Sequence, residues 1–221
     1  MLKRLLFKLA KVPFAGKLVG TMFQYCSWAV PVKKIYNSKE IIAFYHPRPN
    51  YENHLIISPK RAIANLQQMA SETFSKYFVK LWEAAKDIGE RHPEYNDFCA
   101  LVANGGKRQE VGQIHFHMFT NHEVVKEYSA VSSTGSVFYR DSDVYILEHP
   151  NPDWEVHFVI HPVSSSQMED RYFRSVLRSI DLLDAEFHIV QRGYSLVYQY
   201  DKQKSGVEWP VFHVVSGKKL K

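Results

Sequence analysis

Apolar positions recur along this chain with two different periods. Runs such as "IIAFY" (41–45), "HLIIS" (54–58), "FCALVA" (98–103) and "QIHFHMF" (113–119) are continuously apolar or alternate with period two, which predicts strands. Between them Tyr77, Phe78, Leu81, Trp82 and Ala85 are spaced by three and four residues and predict a helix with one buried face. The same order returns later. Tyr172, Phe173, Val176, Leu177 and Ile180 form a second helical stripe, between strand-like runs in 137–163 and 194–217. "NGG" (104–106) reads as the turn between the last two strands of the first set, because Asn and Gly tolerate positive φ.

The second set repeats the first in its residues as well as its pattern. Residues 34–60 match 137–163 at a constant offset of 103, so that His46-Pro47 meets His149-Pro150 and His54 meets His157. Residues 98–121 match 194–217 at an offset of 96. Each copy reads strand–turn–strand, a Pro-containing turn, a helix and a hairpin, an α+β unit built on a mainly antiparallel sheet. Two such copies predict an intrachain pseudo-two-fold dimer. The expected organisation is an N-terminal segment (1–33), a first copy (34–122), a linker (123–136) and a second copy (137–221).

Charge separates the N-terminal segment from the rest. Eight of the 28 Lys and Arg residues precede Glu40, the first acidic residue, so the remaining chain is slightly acidic and a nucleic-acid-binding body is not expected. "MLKRLLFKLAKVPF" reads as an amphipathic basic helix that Pro13 is expected to end or kink. Through residues 1–12 it either makes a peripheral contact with an anionic membrane or packs its Leu face on the domain. It is too short and too interrupted to span a bilayer. Two cysteines in unrelated contexts give neither a disulfide framework nor a CxxC zinc site, and a reducing, cytoplasmic setting is expected.

The chemistry concentrates in "QIHFHMF". On a strand Gln113, His115 and His117 share one face, while Ile114, Phe116 and Met118 point to the core beneath the helix. A neutral imidazole attacks phosphorus well near pH 7 if a carbonyl or carboxylate holds its other N–H. His-x-His is also a zinc pair, with His54 or His122 as a third ligand, although no acidic or cysteine ligand lies at matching spacing. The pair also fits two ordinary half-exposed strand histidines. "NGGKRQ" (104–109) is either a polar hairpin tip or a phosphate cradle, with Lys107 and Arg108 supplying positive potential or facing water. His54 reads either as a hydrogen-bonded strand residue or as part of the site.

Two motifs together resemble the histidine-triad (HIT) superfamily. "IIAFYHPRPNYENHLIISPKR" (41–61) resembles the family's substrate-side strand–turn–strand, and "ANGGKRQEVGQIHFHMF" (103–119) its Asn-containing hairpin leading into His-φ-His-φ-His-φ-φ, where φ is apolar. The tandem arrangement is similar to the hexose-phosphate uridylyltransferase branch. The resemblance implies cleavage or transfer at a nucleotide α-phosphate through a nucleotidyl-histidine, with His115 as nucleophile. It implies that His117, Gln113, Asn104 and His54 bind or orient the phosphate, and it sets Phe44 and His46 on the nucleoside side. No cofactor and no metal are expected. The partner is a nucleotide or another phosphorylated small molecule. The alternative is a non-catalytic nucleotide- or phosphate-binding module.

Two positions depart from the family pattern. Gln113 either replaces the first triad histidine or is the glutamine of an upstream Gly-Gln pair brought closer by a deletion. His46 stands where the family has a ribose-binding acid. The second copy serves as an internal control: His115 becomes Val211, Gln113 becomes Trp209 and Asn104 becomes Tyr200, whereas His117 persists as His213. One active half beside a degenerate half is expected, with a structural share in the role of His117.

Overall fold

A computed structural model describes residues 32–95, 99–120, 135–163, 169–200 and 210–220. The predicted basic helix at 1–12, His122, Trp209 and most of the 123–136 linker lie outside these residues. Among those described, no helix is long and apolar enough to cross a membrane.

Among the described residues, ten strands form one antiparallel sheet. In chain order they are β1 (Lys34–Asn37), β2 (Ile41–Tyr45), β3 (Glu52–Pro59), β4 (Cys99–Gly105), β5 (Phe116–Thr120), β6 (Val137–Arg140), β7 (Val144–Glu148), β8 (Trp154–Pro162), β9 (Tyr194–Tyr200) and β10 (Phe212–Lys219). Their spatial order is β1-β2-β3-β5-β4-β9-β10-β8-β7-β6. Two short helices, α1 (Leu66–Met69) and α4 (Ile189–Arg192), accompany two long ones, α2 (Lys76–Arg91) and α3 (Glu169–Phe187).

The predicted helical stripes are the buried faces of α2 and α3. Phe78, Leu81, Trp82 and Ala85 pack with Phe173, Val176, Leu177 and Ile180 in one cluster that also holds Ile41, Leu55, Leu101, Phe116, Ile146, Phe158, Leu196 and Phe212 from the strands. Phe78 meets Phe173 edge to face at 4.9 Å. Both long helices therefore cover the same side of the sheet. The opposite side is largely buried as well, with Ile42, Phe44, Ile56, Val197 and Val215 at 7% exposure or less. That is why β2 and β3 read as apolar runs rather than as alternating strands.

Strand pairing repeats from one half of the sheet to the other. Leu55↔Met118, Ile56↔His117 and Ile57↔Phe116 return as Phe158↔Val214, Val159↔His213 and Ile160↔Phe212. The β1–β2 bulge between Lys34 and Tyr36 returns between Val137 and Tyr139. The halves meet along β4 and β9, centred on Val102↔Val197.

Two expectations need correction here. Ala103↔Phe116 returns as Tyr198↔Phe212, so β9 follows β4 at an offset of 95 while β10 follows β5 at 96. Gln199, not Tyr200, therefore occupies the position of Asn104. Nor is "NGG" a tight hairpin turn. Asn104 and Gly105 stay in β4, paired with Ser195 and Tyr194 of β9. The chain turns instead through a 3₁₀ segment, Gly106–Arg108, and β5 begins only at Phe116. Pairing with the second half extends β4 beyond the point where local turn propensity would end it.

Candidate functional site

The segment before β5 is tied to the loop after β3. Gln113 Nε2 donates to the carbonyls of Pro59 and Arg61, both at 3.0 Å, and Gln113 Oε1 accepts from the Ile63 amide at 3.3 Å. The Ile114 amide donates to the Ile63 carbonyl at 2.8 Å, and Ser58 Oγ donates to the Ile114 carbonyl at 2.9 Å. The Gln113 side chain is thus spent on backbone and buried at 2% exposure. The expectation that it shares a phosphate-facing side with His115 and His117 fails, because the strand alternation does not extend back to it. Replacing Gln113 with alanine removes three hydrogen bonds to backbone, two of them buried. It should cost about 2–4 kcal/mol, read as a lower denaturant midpoint at unchanged slope.

Gln113 nonetheless orients His115, through its backbone. His115 Nδ1 lies 2.9 Å from the Gln113 carbonyl oxygen. A carbonyl only accepts, so Nδ1 carries the proton and Nε2 keeps the lone pair. His117 takes the other tautomer. The Asn50 amide donates to His54 Nδ1 at 3.4 Å, which places the His54 proton on Nε2. That proton is donated to His117 Nδ1 at 2.9 Å, leaving the His117 proton on Nε2. The His115 and His117 rings are 4.9 Å apart, edge to face. A ring with a free lone pair therefore stands beside a ring with a free N–H.

The four histidines of the site, His46, His54, His115 and His117, are held below the ordinary imidazole range and are neutral at pH 7. Burial is the main cause for each. It brings His54 to about 4, with His46 and His115 adding to the effect. His117 falls to about 2 through burial and the neighbouring rings of His115, His54 and His46. His46 is lowered by burial, with His115 adding to the effect. His115 is lowered by burial, against the opposing pull of its Gln113 bond and of Glu110.

His46 stacks on His54 with ring centroids 4.2 Å apart and planes at 4°. Its Nδ1 accepts from the Arg48 amide at 3.1 Å, leaving Nε2–H as a donor. Phe44, expected on the nucleoside side, packs instead with Ile42 and Ile56 at 3% exposure and offers no open face. Asn104 lies on β4 two residues beyond Val102, the partner of His117, and so shares its face. Asn104 Oδ1 accepts from Ser195 Oγ of the second half at 2.8 Å. Lys107 is exposed, whereas Arg108 is half-buried and turned to the second half rather than to water or the histidines. Just before His54, Asn53 adopts the left-handed conformation (φ 48°) and donates from Nδ2 to Thr120 Oγ1 at 3.0 Å. It sits in an interruption of the β3–β5 register, a bulge beside the site that the sequence pattern did not reveal.

The second half repeats the histidine stack without the candidate nucleophile. His149 stacks on His157 at 4.0 Å, and His157 Nε2 meets His213 Nδ1 at 3.0 Å. The backbone bond from His46 to His54 recurs from His149 to His157. His149, His157 and His213 are all buried, whereas His46, His115 and His117 are partly open. His46, His54 and His117 form one trio and His149, His157 and His213 another, and within each the ring nitrogens lie within 4.8 Å of one another, close enough to consider a shared cation. In both trios, however, one His–His contact is already a hydrogen bond, and His46 and His54 present parallel, stacked rings rather than lone pairs converging tetrahedrally.

This frame matches known proteins in sequence and in fold. Residues 29–124 match the family model of the HIT domain. An uncharacterized HIT-like protein of Helicobacter pylori is 26% identical over 93 residues, 41% of this chain and 86% of that protein. The first half of the chain carries a HIT domain, and the relatives it matches in sequence are HIT-like proteins. A GalT-like protein from Arabidopsis thaliana superposes with a TM-score of 0.62 at 9% identity, covering 89% of this chain and 81% of that one. An ADP-glucose phosphorylase of the same plant, with bound ADP-glucose, gives 0.63 at 8% identity, covering 90% and 81%. At such identities the likeness is one of fold, and it extends across both halves of the sheet.

Proposed function

We propose that the chain is a nucleotide hydrolase or nucleotidyl transferase with one site, in its first half, and that its second half is a degenerate HIT-like copy forming an intrachain pseudo-dimer with the first. The observation that carries this reading is the opposed tautomers of His115 and His117. His115 Nε2 attacks the α-phosphorus as the bond to the leaving group breaks, giving a nucleotidyl group on Nε2. Water or an acceptor phosphate then attacks the phosphorus and releases His115. His117 Nε2–H and the Asn104 carboxamide donate to the non-bridging oxygens, where charge builds. His54 fixes the His117 tautomer. His46 offers an N–H rather than a carboxylate to the nucleoside side.

With its carboxamide bound to backbone, Gln113 supplies no proton to the leaving group. Groups that depart without one, such as a phosphate, suit the site better than amines. The full chain should therefore consume a dinucleoside polyphosphate or a nucleotide sugar faster than a nucleoside phosphoramidate. Faster cleavage of the phosphoramidate would contradict the leaving-group assignment. Failure to consume any of the three, with saturable binding of a nucleoside monophosphate, would point to a binding module instead.

A further inference from the structure

The hairpin that carries Asn104 is built against the second half of the chain. Gly106, at φ +56°, lies so close to Val190 that a Cβ would overlap the Val190 carbonyl, and a Cβ on Gly193 would strike Arg108. Arg108 NH2 donates to the Gly217 carbonyl at 2.8 Å, NH1 reaches the Val215 carbonyl at 3.4 Å, and the guanidinium lies 4.5 Å from the centre of the Trp154 ring. NH1 also donates to Ser195 Oγ at 3.2 Å. Ser195, 8% exposed, in turn donates to Asn104 Oδ1.

The direction of this chain is set by chemistry. Arg108 has only donors, so the Ser195 oxygen must accept from it, and the hydroxyl proton is left for a different acceptor. Asn104 Oδ1 is that acceptor. The flipped carboxamide would present its NH2 to Ser195 and leave a buried hydroxyl proton unused, which is costly. With its oxygen held on the second-half side, Asn104 keeps its NH2 free, on the sheet face shared with His117.

We infer that Ser195, backed by Arg108, is a positioning residue that fixes the donor polarity of Asn104 at the phosphate site. The degenerate half thereby takes part in the chemistry of the active half without touching substrate. This rests on the site proposed above, and it makes Asn104 a donor only, suited to anionic phosphate oxygens and unsuited to ammonium or hydroxyl hydrogens.

The test is a double-mutant cycle on the full chain, with dinucleoside polyphosphate turnover as the readout. Ser195→Ala should lower kcat about tenfold with little change in KM, and Ser195→Thr should restore it. In an Asn104→Ala background, Ser195→Ala should change nothing further. Equal losses in both backgrounds, or none in either, would overturn the inference. A second readout is independent of turnover: the Asn104 side-chain NH2 signals in NMR, identified by their loss in Asn104→Ala. Ser195→Ala should raise their mobility in 15N relaxation, Arg108→Lys should do so to a lesser degree, and Ser195→Thr should keep them ordered. Unchanged order in Ser195→Ala would overturn the inference whether or not the protein turns over this substrate. Absence of turnover in the wild type, with order lost in Ser195→Ala, would reject the site reading while retaining the positioning.

Discussion

His115→Ala loses turnover of every phosphate substrate the wild type consumes, by about 10⁴-fold or more in kcat. The size follows from the role. Of His46, His54, His115 and His117, it is His115 that has both an unprotonated ring nitrogen and an orientation fixed by a carbonyl at the opposite ring position. His115→Asn keeps some of the volume and polarity and should be as inactive, which separates loss of the nucleophile from loss of packing. His117→Ala is milder, about 10²-fold, because it removes a donor and not the attacking atom. Both variants should bind a nucleoside monophosphate nearly as the wild type does. Residual activity above one tenth of wild type in His115→Ala would place the chemistry elsewhere.

Acid unfolds this protein well above the pH at which carboxylates titrate. His54, His157, His161 and His213 are buried at 5% exposure or less. Burial is the first cause that holds each of them down, to about 4 for His54, about 3 for His157, about 4 for His161, and well below the ordinary value for His213. In the unfolded chain each binds a proton near pH 6.5, whereas in the folded protein it stays neutral. Below pH 6.5 the unfolded state therefore holds more protons, and stability falls as pH falls. The loss continues until the folded values are reached, near pH 4 for His54 and His161 and lower for the others. At pH 5 these groups together remove several kcal/mol, a large share of a domain's stability. Thermal midpoints measured from pH 8 to pH 5 should be level above pH 7 and drop steeply below 6.5. His161→Phe isolates one contribution. The His161 ring stacks on Tyr145 at 4.8 Å, and its Nε2 is buried without a hydrogen-bond partner. Phenylalanine keeps the stack, removes the orphaned nitrogen and should shallow the acid slope by one proton. A midpoint that stays flat down to pH 5 would show that the histidines are solvated in the folded state.

The sequence made the frame legible because burial of both sheet faces leaves strong periodic signals. The stripes of α2 and α3, the β2–β3 pair and the recurrence of His54 and His117 as His157 and His213 all follow from apolar spacing and from one repeated pattern. What it concealed depends on contacts between distant segments. Gln113 looks like a third residue on the His115 face, yet the loop after β3 captures its side chain. Asn104-Gly105 has the composition of a turn, yet pairing with β9 holds it in a strand. Local preference favours a turn there by a small margin, and a full ladder of hydrogen bonds outweighs it. The one-residue difference between the β4–β9 and β5–β10 offsets is invisible in aligned letters, because only strand register reveals it. Ser195 carries no motif, Arg108 reads only as a charge of the hairpin tip, and their place beside Asn104 emerges only from the antiparallel meeting of the two halves.

The central claim is that His115 Nε2 forms a bond to phosphorus. Brief reaction with a nucleotide substrate, quenching at alkaline pH where phosphoramidates survive, and peptide mass spectrometry test it directly. The predicted result is a nucleotidyl mass added to the peptide bearing His115, absent from His115→Ala and increased in Asn104→Ala only if release is slowed more than attack. A turnover-competent protein that yields no adduct on His115, or one that carries it on His117 or His54 instead, would contradict the assignment.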